Sequence, residues 1–490
     1  MKIRFDEGNS MLSLPTLSRR GLMTAATGVA FAGLARHAQA ADVSSAEIQA
    51  DAYHSEVFGY GPLKTDPAGL FDLPEGFTYT VVSRAGETMS DGLLTPHKTD
   101  GMGAFALGGD RVALVRNHEL KLVDFDFGAF GPGQKLIDKV DRKLIYDMAP
   151  NGRALNGGTT SMVYNLRTRE LESQHLSLMG TSTNCAGGIT PWGSWLSCEE
   201  VVLSPSETAA KTHGWVFEVP ADHKGLVDPQ PITAMGRFKH EAVAIDPATG
   251  VAYLTEDESD GHGLFYRFLP TDRADPHKGG RLQALAFKAG PQDSRNWQET
   301  QWSVGQWRET IWIDLDGTDN PDNDLRHRGH AKGAAWFARG EGIFHGDGEF
   351  YFTCTSGGPE FLGQIMRYKP SRFEGQPGEA DEPGKLQLFV QSGDRMLLQM
   401  CDNLCVAPWG HLVVCEDKAA DRGINYLKGV TPDGKVYTLG RQAQSGLSDV
   451  GANSELAGSC FSPDGTTLFV NVYWPGMTLA ITGPWSRFRA

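Results

Sequence analysis

The stretch TPWGSWLSCEE at residues 190–200 comes back as APWGHLVVCED at residues 407–417. Each copy reads as a turn, a short apolar run and a pair of acids. A single hairpin of this kind cannot bury its apolar face alone, so repeated copies must pack against one another. Six such segments occur: GGDRVALVRNHE (108–119), PWGSWLSCEE (191–200), ATGVAYLTEDE (248–258), GDGEFYFTCTSGG (346–358), PWGHLVVCED (408–417) and PDGTTLFVNVYWPG (463–476). Before each lies a second run of small and apolar residues: DGMGAFAL (100–107), NCAGGIT (184–190), HEAVAID (240–246), GEGIFHG (340–346), DNLCVA (402–407) and LAGSCFS (456–462). The unit is therefore strand, turn, strand, with Gly-containing hairpin turns.

The units recur at intervals of roughly 55 to 100 residues, and the intervening sequence supplies further strands such as GWVFEV (214–219) and GLFYRFL (263–269). Uneven spacing disfavours a β-helix, and six similar units disfavour one sandwich. The pattern predicts an all-β fold, a six-bladed β-propeller with loop insertions. Glycine (59) and proline (26) are abundant, as many tight turns require. Segments 270–310 and 372–386 read as loop insertions, the second polar and mobile.

Residues 1–40 read as an export leader. Ser18-Arg19-Arg20-Gly21-Leu22-Met23 has the form of a twin-arginine motif, a weakly apolar run fills 21–35, and a small-x-small cleavage site ends at Ala40. Fifteen residues is too short to cross a bilayer comfortably. The expectation is a single catalytic domain over 41–490, monomeric, periplasmic or secreted, with the twin-arginine export machinery as a partner and no membrane span in the mature chain. Seven cysteines leave at least one thiol free, and a chain folded before export need not form disulfides; Cys401 and Cys405 could pair later, but the sequence does not show it. The formal net charge of −15 argues against a nucleic-acid partner and suits cations.

In a propeller the first strands line a central channel. At their starts stand Asp100, Cys185, Glu241, Glu341, Asp402 and Glu455; the second strands end in Glu119, Glu199-Glu200, Glu256-Asp257 and Glu416-Asp417. Carboxylates brought together at one mouth repel, and metal relieves them. Many oxygen donors suit calcium, while a thiolate among them suits a softer, redox-capable ion such as iron. Zinc is disfavoured, because CDNLC (401–405) is the sole cysteine pair with ligand-like spacing. Arg116, Arg237 with His240, Arg339 and Lys418 stand beside these acids. A salt bridge explains a cation there, and so does an anionic substrate held through phosphate oxygens. For Arg116 and Arg237 the salt bridge is the expectation; for Arg339 and Lys418 both readings stand.

The motifs TNCAGGITPWGSWLSCEE, GRFKHEA, YLTED, ARGEG, CDNLCVAPWGHLVVCEDK and FSPDGTTLFVNVYWPGMTLAITGPW together resemble the PhoX-type alkaline phosphatases, from about residue 60 to the C-terminus. The resemblance implies a propeller whose mouth holds iron and calcium and hydrolyses phosphate esters outside the cytoplasm. It implies that Cys185 is an iron ligand and that Glu241, Glu341, Glu199, Glu200, Asp257 and Glu416 are metal-binding acids. It likewise implies that Arg339, two residues before a catalytic Glu341, and Lys418 contact phosphate. The family's arginine motif often reads Arg-Pro-Glu, where this chain carries Gly340. Two other readings of the same residues are a calcium-dependent lactonase-like propeller and a non-catalytic metal-binding propeller.

Overall fold

The six hairpins fall where the repeats place them. The computed structural model describes residues 53–418, 423–444 and 454–490. Its six first strands are Thr99–Ala106, Asn184–Ile189, His240–Ile245, Gly340–Gly346, Cys401–Val406 and Leu456–Phe461. Each pairs antiparallel with the strand that follows it, from Arg111–His118 through Thr467–Val472. Each first strand also packs against the first strands of the units before and after it, and Leu456–Phe461 packs against Thr99–Ala106, so the six close a ring.

Outer strands extend each hairpin into an antiparallel meander. The last sheet takes its outermost strand from the other end of the chain: Thr78–Arg84 pairs with Met477–Thr482. That pairing joins the two ends of the described fold through hydrogen bonds. The apolar residues alternate along the strands and fill the spaces between neighbouring sheets. Ala244, Tyr253 and Phe265 of the third unit, for example, pack with Phe350, Phe352 and Tyr368 of the fourth.

The arrangement is all-β and propeller-like. Among the described residues it has five sheets, where the repeats predict six separate blades. The difference arises at one place. Trp307–Asp314 pairs with Gly280–Phe287 on one side and with Lys385–Gln391 on the other, which fuses the third and fourth units into one nine-stranded sheet.

The 270–310 segment is accordingly more than a loop, since it carries the strand Gly280–Phe287 and the start of Trp307–Asp314. Segment 372–386 is pinned as well. The buried Arg267 binds Glu374 at 2.7 Å and also binds Glu379. All seven cysteines are buried and free, so Cys401 and Cys405 are not paired. The leader expected over residues 1–40 lies outside the described residues. Among those described, no helix is long and apolar enough to cross a membrane.

Candidate metal centre

A β-bulge repeats in every first strand, at the same place in the first five. In the first unit Thr99 pairs with His118 and the register then slips before Met102; in the second, Asn184 pairs with Glu199 and slips before Gly187. His240, Gly340 and Cys401 behave alike, with slips before Val243, Ile343 and Leu404. A bulge leaves its extra residue unpaired and re-aims the side chain. The residues so released are Asp100, Cys185, Glu241, Glu341 and Asp402. In the sixth unit the slip comes one residue later, after Ala457, and Glu455 stands just before the strand.

Small residues follow the bulge because the first strands approach closely there. A Cβ on Gly101 would lie 2.5 Å from Cα of Ala186, and one on Gly342 would lie 2.7 Å from Cα of Asn403. Each of these glycines is the residue after a released acid, so the fit between first strands sets how near the acids come.

Two groups have donor atoms within 4.8 Å of one another: Cys185 with Glu200 and Glu241, and Glu241 with Glu341 and Asp402. Glu241 belongs to both. Burial and mutual repulsion raise the carboxyl pKa values throughout. Asp402 is pushed up to about 8 by burial and then by Asp417, and Asp417 reaches about 6. Asp100, Glu200, Glu241, Glu341 and Glu455 are all raised well above the ordinary carboxylate range. The Cys185 thiol is raised by burial and by Glu241. Buried acids are kept charged by pairing or by a metal. The donor set therefore fits metal ions, with oxygen-rich and thiol-containing positions side by side.

The acid pairs divide their work. Successive residues of a strand point to opposite sides. Asp257 is 3 % exposed and belongs to the acid cluster, as do the half-buried Glu200 and Asp417. The acid before each turns away and caps the next strand. Glu199 accepts N–H groups from Ser182, Gly214 and Trp215 and binds Nδ1 of His213 at 2.6 Å. Glu256 accepts from Leu264 N–H and the Tyr266 hydroxyl, and Glu416 from Gln399 and Tyr426 N–H. The structure thus brings Cys185, Glu200, Glu241, Asp257 and Glu341 together, and sets Glu199 and Glu416 on the opposite side of their strands. In the first unit His118 takes the outward position and Glu119 the inward one. The inward Glu119 accepts a hydrogen bond from the Tyr473 hydroxyl.

Arg339 lies at the edge of the cluster. Its guanidinium forks onto Asp257, with Nε 2.9 Å from Oδ1 and Nη2 2.5 Å from Oδ2, and Nη2 is 3.2 Å from Oε1 of Glu341. Its own backbone takes the left-handed conformation, φ 57°, and Gly340 does not. Gly340 therefore supplies no backbone freedom that aims Arg339; the two acids do. Lys418 is buried and held away from the cluster, its ammonium 3.1 Å from Glu416 and 4.9 Å from the Tyr426 ring centroid.

The lysines that do act on the cluster went unread in the sequence. Lys121 pairs with Glu119 at 3.0 Å, and Glu119, Glu200 and Glu455 all stabilise its charge. Lys239 pairs with Glu258 at 3.1 Å, and its charge lowers the Glu200 pKa. Their signal was position: each stands one or two residues from a cluster acid in the chain. Arg116 and Arg237 are structural, yet neither forms the expected salt bridge. Arg116 donates to the hydroxyls of Thr478 and Thr160, and Arg237 to carbonyls of His213 and Leu203. Behind the acids the channel continues as a cavity of about 240 Å³ lined mainly by apolar residues such as Ile189, Val243, Ile343 and Leu404. The ionisable chemistry lies at the mouth, apart from this larger cavity.

Known proteins bear on this geometry. The alkaline phosphatase PhoX family matches residues 58–476. Among solved structures, Pseudomonas fluorescens PhoX in complex with vanadate, a transition state analogue, is similar with a TM-score of 0.62 and 19 % identity, over 87 % of this chain and 98 % of that one. A gluconolactonase from Xanthomonas campestris is similar with a TM-score of 0.39 and 12 % identity, over 86 % of this chain and 98 % of that one. No curated protein matches the sequence. The chain belongs to the PhoX family of alkaline phosphatases and is a phosphoric ester hydrolase.

Proposed function

We propose that the chain is an extracytoplasmic metalloenzyme that hydrolyses phosphate esters at the mouth of a six-bladed propeller, after a 1–40 leader directs a 41–490 domain through twin-arginine export. The six blades are the six first strands with their partners, two of them fused at one edge. The observation that carries the reading is Glu241, shared by two donor groups with Arg339 beside them. The thiol of Cys185 favours iron in one group, and the oxygen donors of Glu241, Glu341 and Asp402 favour calcium in the other. Bound metals would neutralise phosphoryl charge and activate an oxygen nucleophile.

The chain's own side chains position the substrate. Asp257 and Glu341 hold the Nε–Nη2 edge of Arg339 and so fix the guanidinium plane before substrate arrives, which leaves Nη1 to donate to a phosphoryl oxygen. Lys121 adds positive charge from the first unit and Lys239 from the third, which favours a dianion over a neutral lactone. Phosphoryl transfer depends mainly on such positioning and charge.

The test is turnover of p-nitrophenyl phosphate and of a gluconolactone by purified protein, before chelation, after it, and after return of iron and calcium separately and together. The reading requires phosphate release that chelation abolishes and the two metals together restore. Lactone opening without phosphate release would overturn it.

A further inference from the structure

Beside Lys121 lies a second, smaller cavity of about 60 Å³. Its walls include Leu120, Leu122, Phe125, Leu155, Ser182 and Lys121 itself. Lys121 is the shared element: the residue lines this cavity, and its ammonium pairs with Glu119 of the acid cluster. Ser182 is joined to the cluster's backbone as well, since the next residue, Thr183, accepts the N–H of Glu200 and donates its own to Leu120. The cavity and the acid cluster therefore meet at one lysine.

Phe125 is 48 % exposed and its neighbour Val123 is 76 % exposed. Exposed apolar side chains on a loop ordinarily need no explanation, but this loop is held rigid from beneath. The buried Asp124 accepts from the Lys98 ammonium at 2.7 Å and from Lys121 N–H at 2.8 Å. Asn156 donates its side-chain amide to the carbonyls of Asp124 at 2.9 Å and Phe125 at 3.1 Å. The Arg153 guanidinium lies 4.7 Å from the Phe125 ring centroid and fixes one face of it. An aromatic ring shown to solvent on a pre-ordered loop, above an apolar hollow, recognises a ligand at low entropic cost.

We propose that this cavity is the subsite for the alcohol part of the ester, and that it selects phosphate monoesters of aromatic alcohols. The proposal rests on the phosphatase reading above. A phosphoryl group beside Glu241 and Arg339 would direct its ester oxygen past Lys121, and a flat ring attached to that oxygen would enter between Phe125 and the Leu120–Leu155 wall. A water needs about 10–15 Å³, so the cavity holds about five waters, whose share of liquid volume, about 150 Å³, matches a cavity that takes one benzene ring. A compact aliphatic alcohol would leave the hollow wet.

The experiment compares binding of phenylphosphonate and methylphosphonate to the metal-loaded protein by calorimetry. Neither ligand has an ester bond, so leaving-group reactivity plays no part. The native protein is expected to bind the phenyl compound roughly tenfold more tightly, as an aromatic contact of this kind supplies. Phe125→Ala should lower the preference several-fold. Thr208→Trp, at an exposed position, should fill the hollow and remove it. Phe58→Ala, which alters an exposed ring outside the cavity, should keep it. A native preference near one, or a preference that survives both Phe125→Ala and Thr208→Trp, overturns the subsite. If inorganic phosphate and methylphosphonate bind while the phenyl compound gains nothing, the subsite fails and the phosphatase reading stands. If none of the three binds, the phosphatase reading fails and the subsite falls with it.

Discussion

Adjacent acids in this chain differ in role because a strand alternates its sides, and the pair Glu199-Glu200 separates the roles most cleanly. Glu199 is fully buried, accepts three backbone N–H groups and binds His213, which Asp147 grips from the far side at 3.0 Å. Burial alone would depress the His213 pKa, yet Glu199 and Asp147 together raise it to about 9. Removing Glu199 leaves that imidazolium with Asp147 alone and orphans three buried N–H groups. Glu199→Ala is expected to cost about 3–5 kcal/mol of stability, read as a fall in the urea midpoint. Glu200→Gln should instead leave the urea midpoint close to native while lowering metal content and ester turnover. Equal effects of the two substitutions on stability would contradict the division. His213 also fixes a pH signature. Its folded pKa exceeds its unfolded one, so its contribution is full below about 6.5 and is lost as pH rises through about 9. His213→Gln should flatten stability across that window in urea titrations.

The hairpins carried most of the fold in the sequence, because turn glycines and apolar runs are local signals. GEGIFHG and HEAVAID were readable as first strands to within a residue of where they end. The bulge was not readable as such, although the acid it releases was: an acid followed by a small residue marks the place in DGMG, HEAV and EGIF. What stayed hidden depends on distant partners. The fusion of two meanders through Trp307–Asp314 is a long-range edge contact with no local signature. Lys418 follows an acid pair as closely as a site cation should, yet strand alternation turns it toward Glu416 and Tyr426. Lys121 sits in an undistinguished stretch, ELKLVD, and acts only because Glu119 faces the mouth. The close approach of first strands gives this scale its own test. Gly342→Ala would place a Cβ 2.7 Å from the Asn403 backbone and push Glu341 away from Asp402. The expected result is a loss of about 1–3 kcal/mol in stability together with weaker metal binding. Unchanged metal affinity would show that the spacing of the strands does not tune the centre.

The ring closes through Thr78–Arg84 and Met477–Thr482, and its centre is a concentration of buried negative charge. Without metal, that charge opposes folding as the acids ionise. Asp402 has a folded pKa near 8 against an unfolded value near 4, so the folded state binds the extra proton between those values. Stability of the metal-free protein should therefore fall as pH rises from about 4 to about 8. The metal-loaded protein should not show this fall, because the cations replace the protons. Thermal melts across that range, with and without chelator, read the difference directly. A metal-free protein as stable at pH 8 as at pH 5 would mean that the acids are not repelling one another.

Glu241 is where the account is most exposed, since both donor groups require it. The decisive measurement is metal content per chain, by elemental analysis, of the native protein and Glu241→Gln, with p-nitrophenyl phosphate turnover on the same samples. Glutamine keeps the shape and removes the charge. The account predicts iron and calcium in the native protein, loss of metal from both groups in the variant, and a fall in turnover of more than about 100-fold, since the metals supply several kcal/mol of transition-state stabilisation. A Glu241→Gln protein that folds, keeps its full metal content and turns over ester at the native rate would contradict it.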